Sequence, residues 1–181
     1  MSIKIRDLEA VSLAMAKHDV RFYLNGVLFD VFGQLVATDG AQMHVVNTGV
    51  EREDKFIMHR ADVLKIIKSA TPAQRRKGAE FSVSFDYRDS LITVTVGEVV
   101  FECSAISANY PDYSRVWPDL GLTPQPSDAL GLFNFERLAV IQKAAGIQGG
   151  RKLHGMDFNV YADKFYIERG DFRAVVMAQR G

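Results

Sequence analysis

The residues able to do chemistry in this 181-residue chain are scattered, and their types favour holding over turnover. His18, His44, His59 and His154 are dispersed. There is no paired-histidine zinc motif, no phosphate-binding glycine loop and no nucleophile elbow. Asp39 in Thr38-Asp39-Gly40 is a turn residue first, and a small hydrolase built from it and a histidine has no motif with a mechanism behind it. No enzymatic activity, catalytic residue, metal or cofactor is expected. Gly149-Gly150 before Arg151-Lys152 could cradle a phosphate, although a flexible basic loop is the better account. What does cluster is positive charge. Arg60, Lys65, Lys68, Arg75, Arg76 and Lys77 lie on or just after one expected helix, and Arg137, Lys143, Arg151 and Lys152 on or after another. The first helix carries fewer, Arg6 and Lys17, and acids such as Glu98, Glu102, Asp163 and Glu168 gather in strands and turns. A solvated charged face explains any one helix. The same bias on two of three suits phosphate contacts, which carry affinity without sequence information.

The elements that must position these residues recur with a period of roughly 60, each unit reading as a strand, an amphipathic helix and three strands. In the first, a helix over 7–17 places Leu8, Val11, Leu13 and Met15 among small alanines. Strands are expected over 27–32, 35–38 and 43–46. The stretch from His18 to Gly40 is dense in turn chemistry and reads in two ways, as a hairpin turning at Asn25-Gly26 or as a meander turning near Gly33 and again at Asp39-Gly40. Both are antiparallel sheet. The second unit has a strand at 56–59, a helix from Arg60, and strands over 81–85, 91–96 and 99–105; Thr71-Pro72 ends the helix or starts a new turn. In the third, a strand at 130–133 precedes a helix over 135–145, then strands over 157–161, 164–168 and 172–177. Between the second and third units, residues 119–126 shift to Gly and Pro without periodicity, as a linker does.

With 48% hydrophobic and 24% charged residues the chain can bury a real core. Its 22 basic residues balance 22 acidic ones, so bulk charge announces no nucleic-acid partner and only its distribution could. Cys103 is the single cysteine, which excludes an internal disulfide and suggests a buried thiol in a reducing compartment. No apolar run approaches the ~20 residues needed to cross a bilayer, and the first residues lack a signal-peptide core. A cytoplasmic protein without membrane partners is expected.

Two long stretches carry a family resemblance. The sequence DVRFYLNGVLF followed by LVATDG resembles the opening of the central domain of the bacterial sliding clamp, the processivity factor (beta subunit) of the replicative DNA polymerase, and NYPDYSRVWP resembles that domain's end. FNFERLAVIQKAAG and FRAVVMAQRG resemble the second half of the family's C-terminal domain. The resemblance implies an α+β DNA-clamp fold of three strand-helix-three-strand modules, with the helices on one face of antiparallel sheets. It makes 1–118 one complete clamp-like domain, 119–126 a linker and 127–181 a half-domain, and it favours the meander. The family's first domain and half of its third have no counterpart in this sequence.

Function follows by the same resemblance. The family holds double-stranded DNA without reading its sequence and offers one apolar pocket to the clamp-binding motifs of polymerases and repair proteins. Matched residue by residue, the pocket comprises Leu24, Thr38, Gly40, Gln42, Met43, Pro111, Arg115, Val116, Val175, Val176, Met177 and Arg180. Two or three apolar side chains of an extended peptide would be buried there, with Met43 and Met177 as adaptable walls. Ala41 and Gln42 stand where the family usually has a basic pair. For DNA, the resemblance adds the loop carrying His18, Arg21, Phe22 and Tyr23, although the two aromatics could equally cap the core; Lys68, Arg75, Arg76, Lys77, Arg151 and Lys152 complete the candidates. If a ring needs twelve modules, chains of three would close it as a homo-tetramer, provided the rotation permits. The alternative is a non-encircling, clamp-derived peptide-binding module, of host or mobile-element origin, that competes for clamp partners.

Overall fold

The computed structural model describes residues 2–118, 132–151, 155, 157–161 and 163–179. The expected linker at 119–126 and part of the expected strand at 130–133 lie outside them. Eleven strands and four α-helices are described: β1 (Ser2–Lys4), α1 (Ile5–Ser12), β2 (Gly26–Phe29), β3 (Gln34–Thr38), β4 (Gln42–Asn47), β5 (Phe56–His59), α2 (Arg60–Lys68), α3 (Pro72–Arg76), β6 (Glu80–Asp86), β7 (Leu91–Val96), β8 (Val99–Ser104), α4 (Phe135–Gln148), β9 (Asn159–Tyr161), β10 (Lys164–Arg169) and β11 (Phe172–Met177).

The strands form two antiparallel sheets, one of order β1-β6-β7-β8 and one of order β5-β2-β3-β4-β11-β10-β9. Third-module strands therefore extend the sheet of the first module, with β11 against β4 in the register Phe172↔Val46 to Val176↔Gln42. Side chains alternate across a strand, and here both faces are apolar. Val27, Phe29, Leu35, Ala37, Val46, Phe56, Met58, Phe165, Ile167, Phe172 and Ala174 meet α1, α2 and α4 on the inner face. Leu28, Val36, Met43, Val45 and Ile57 point outward and are covered by Tyr110 and neighbouring residues of the segment from Ile106 to Trp117.

The Asn25-Gly26 hairpin does not form. Asn25 Nδ2 donates to Asp19 O at 2.8 Å, and its Oδ1 accepts from Asp19 N at 3.0 Å, closing the preceding loop. Gly26 begins β2, where a Cβ would lie 2.4 Å from Met58 O, so the glycine lets β5 approach. The turn falls at Gly33, with φ +73° and its N–H donating to Asp30 O at 3.2 Å. Helix α1 ends at Ser12, short of the expected Lys17, because the chain turns away and Ala16 N donates to Leu24 O at 3.0 Å. Thr71-Pro72 starts a new helix: Thr71 forms a capping box with Gln74, and proline occupies the first turn, where its missing N–H costs nothing. Helix α4 passes through Gly146 to Gln148, beyond the expected end at 145. Cys103 is only half-buried on β8, its thiol pushed up to about 11 chiefly by desolvation. No helix among the described residues is long and apolar enough to cross a membrane.

Candidate functional site

On the outer face of the larger sheet, three segments far apart in sequence meet around a groove of about 310 Å³. Its first wall is the turn joining β3 to β4. Thr38 Oγ1 donates to Gln42 O at 2.6 Å and accepts from Gly40 N at 3.0 Å, while Asp39 Oδ1 accepts from the N–H groups of Ala41 and Gln42, each at 2.9 Å. An Asp in a tight turn satisfies its own backbone in this way. Gly40, at φ +91°, leaves room for the Arg21 guanidinium, which a Cβ would meet at 2.9 Å. Arg137 of α4 pairs with the Asp39 carboxylate, tying the third module to this turn.

The second wall is β11. Its pairing puts Val175 opposite Met43, and Met177 N donates to Ala41 O at 2.9 Å. The third comes from Pro111, Arg115 and Val116. That segment is pinned from below. Tyr113 Oη donates to Asp30 Oδ2 at 2.6 Å, Lys164 Nζ donates to Trp117 O at 3.4 Å, and the Arg173 guanidinium lies 4.9 Å from the Trp117 ring centroid.

Of the residues matched to the family's pocket, Leu24, Thr38, Gly40, Gln42, Met43, Pro111, Arg115, Val116, Val175 and Met177 line this groove. Val176 does not. A strand turns successive side chains to opposite faces, so between Val175 and Met177 it must point inward, and it lies fully buried in the core beneath the helices. Arg180 lies outside the described residues. Arg21, Tyr23, Ala41 and Lys164 line it as well, and of these only Lys164 is a residue the sequence does not single out. Lys164 sits opposite Met177 in the β10–β11 register, a relation that exists only once the hairpin is paired. Arg21, Arg115 and Lys164 give the rim a positive bias, although Arg21 is engaged by Asp19 at 2.8 Å and Arg115 by Asp112 at 3.1 Å.

A family model described as DNA polymerase III beta subunit, central domain, matches residues 3–112. The chain belongs to the DNA polymerase III beta subunit family. A beta sliding clamp of Pseudomonas putida is 32% identical over 153 residues, which cover 79% of this chain and 40% of that protein. One of Vibrio cholerae is 32% identical over 117 residues, 61% of this chain and 30% of its own length. The chain thus spans about 40% of the length of the P. putida relative. A crystal structure of the DNA polymerase sliding clamp from Pseudomonas aeruginosa shares the fold at a TM-score of 0.75 and 20% identity, covering all of this chain (100%) and 66% of that one. The DNA polymerase III beta subunit of Thermotoga maritima does so at 0.73 and 15%, over 100% of this chain and 65% of its own. The fold is the clamp fold.

In this beta-subunit relative, the candidate phosphate-contacting residues fall in two places. Lys68, at the end of α2, and Arg76 and Lys77, around the end of α3, are exposed beyond the helices. Arg151 follows α4 and lines the same notch as Arg76; Lys152 lies outside the described residues. Arg75 is different. Its Nε donates to Glu9 Oε2 at 2.6 Å and its Nη2 to Oε1 at 3.1 Å, and Nη1 donates to Ile67 O at 2.9 Å. A guanidinium so engaged braces α3 against α1 and α2 and is not free for phosphate. The 18–23 loop lies by the groove, where Arg21 and Tyr23 line its side. Phe22 is half exposed, whereas Tyr23 packs edge-on against Tyr110 with ring centroids 6.4 Å apart, so only the second aromatic caps the core.

Proposed function

We propose that this chain acts as a compact sliding-clamp-like processivity factor. Its exposed helix-side cations associate with double-stranded DNA without reading sequence, and its outer groove captures extended clamp-binding peptides of polymerase or repair partners. The observation that carries this reading is the groove itself: walls from the β3–β4 turn, the 111–116 segment and the last described strand converge on one apolar floor. Such a slot suits two or three apolar side chains with a carboxylate near Arg21, Arg115 or Lys164. Holding a partner on DNA, without turnover, is the work assigned. Residues 1–118 act in this reading as one unit and 127–181 as a half-unit that completes its groove. Copies of the chain associate, as β8 and β9 are sheet edges that present unpaired backbone groups to another strand.

The test is fluorescence anisotropy with a labelled clamp-binding peptide. Met177→Glu, at a half-buried wall position, weakens capture at least tenfold and leaves the circular dichroism unchanged. Sedimentation gives the mass, and retention on circular but not linear DNA reports encirclement. Unchanged peptide affinity in Met177→Glu removes the groove assignment. A monomer that binds peptide and leaves DNA alone at low salt removes the clamp role and leaves a peptide-capturing module.

A further inference from the structure

A second cavity, of about 390 Å³, opens on the opposite side of the molecule, where α1, α3 and α4 come together. Its chemistry divides in two. Ala139 and Ile147 of α4, with Pro72, supply an apolar part of the lining, called the floor below, while Arg6, Arg76, Lys143 and Arg151 supply cations. The one carboxylate in the lining, Glu9, is already held by two hydrogen bonds from Arg75. Among the described residues, no carboxylate lies within ion-pair distance of the other four cations. Arg6 is the telling one. Its Nε is buried and meets no acceptor, and its guanidinium is seated over Gly150, where a Cβ would come within 2.9 Å of Nη1. A buried unmet donor beside three further cations is costly, and an anion in the cavity lowers that cost.

We infer that this notch is a binding site for a nucleoside polyphosphate, its ring on the Ala139–Ile147 floor and its phosphates among Arg6, Arg76, Lys143 and Arg151. The volume falls in the range of small-molecule sites, and the split between an apolar plate and a cationic rim matches a ligand with one flat apolar end and one anionic end. Duplex DNA keeps its base faces stacked inside and offers such a surface phosphate, sugar and groove edges but no free ring face, so a duplex lying across the mouth leaves the floor unused. The site goes beyond the proposed clamp role and shares Arg76 and Arg151 with it.

Isothermal titration of the full chain with ATP, inorganic triphosphate and adenosine tests the assignment. ATP binds saturably at low salt and raises the melting temperature, as any ligand selective for the folded state does. Each half-ligand binds at least tenfold more weakly. Lys143→Glu lowers ATP affinity at least tenfold, and Ala139→Leu, which fills the floor, lowers ATP affinity while sparing triphosphate. Peptide capture at the outer groove, measured alongside, shows that both variants are folded. Triphosphate binding as tightly as ATP overturns the nucleotide assignment. So does an absence of ATP binding while DNA is still held. The Lys68→Glu/Lys77→Glu double variant alters exposed cations outside the notch; it weakens DNA association and leaves ATP affinity unchanged, which separates failure of this site from failure of the clamp role.

Discussion

The two sheets of this molecule solve different problems. The four-stranded sheet buries one face: Phe81, Ile92 and Val94 go inward, while Ser82, Ser84, Thr93 and Glu102 stand on the open side. The seven-stranded sheet buries both faces, under helices on one side and the 106–117 segment on the other. All the buried polar or charged side chains among the described residues, Asp7, Ser12, Asp30, Gln42 and His44, belong to it or to α1 packed on it. A sheet covered on both sides has nowhere else to put polar groups, and the groove lies where that cover is incomplete. Specificity and internal cost are thus concentrated in the larger sheet.

The largest expected effect separates the two directly. Phe29 is fully buried, stacked on Phe56 at 4.7 Å and edge-on to Phe81 at 6.4 Å. Phe29→Ala should cost about 3–5 kcal/mol, the usual range for a buried aromatic. Val83→Ala, at a half-buried position of the smaller sheet, should cost about 1 kcal/mol. Urea unfolding curves with equal slopes give both numbers. Equal losses would show that the two sheets share one core evenly and would break the contrast.

How much of this could be read in advance follows from the same difference. Strand 91–96 falls where the alternation of LITVTV places it, because a local pattern reports a local face. The groove is legible through resemblance, since its walls come from three separate stretches, the β3–β4 turn, the 111–116 segment and β11, and no periodicity links them. Val176 was misplaced because a run of three matched residues ignores the two-residue period of a strand. Lys164 was invisible because its position depends on the register with Met177. Arg75 looked like its neighbours Arg76 and Lys77, and only the fold brings up Glu9, 66 residues away.

A middle-sized effect tests the polar cost inside the larger sheet. Burial raises the Asp7 carboxyl to about 6 against opposing pulls from Arg6 and Lys4, and its Oδ1 has no partner. Because its folded value lies above the unfolded one, its stabilising contribution is full below pH 3.8 and is lost as pH rises through 6. His44 behaves oppositely. Burial lowers it to about 4 despite Nδ1 lying 3.1 Å from Ala10 O, so its contribution is full above pH 6.5 and lost as pH falls through 4. The two slopes oppose each other between about pH 4 and 6. Asp7→Asn should therefore stabilise at pH 7.5 by on the order of 1–3 kcal/mol, give little gain at pH 4, and leave a chain in which the His44 loss on acidification is no longer opposed by Asp7. Urea midpoints at the two pH values decide it; no gain at pH 7.5 would mean that Asp7 is better satisfied than its burial implies.

The smallest expected effect belongs to the open edge of the four-stranded sheet. Val100 is 61% exposed on β8, the outer strand of that sheet, so it contributes little to the monomer's core. Val100→Lys should change unfolding by no more than about 0.5 kcal/mol, as surface substitutions generally do. Its consequence lies elsewhere, because a lysine on an edge strand is a standard obstacle to strand-to-strand pairing. If copies of the chain associate through this edge, sedimentation of Val100→Lys at micromolar concentration should show a smaller species than the parent while the urea midpoint stays put. An unchanged mass with an unchanged midpoint would take β8 out of the association surface and leave the other sheet edges, β1, β5 and β9, to carry any contact between copies.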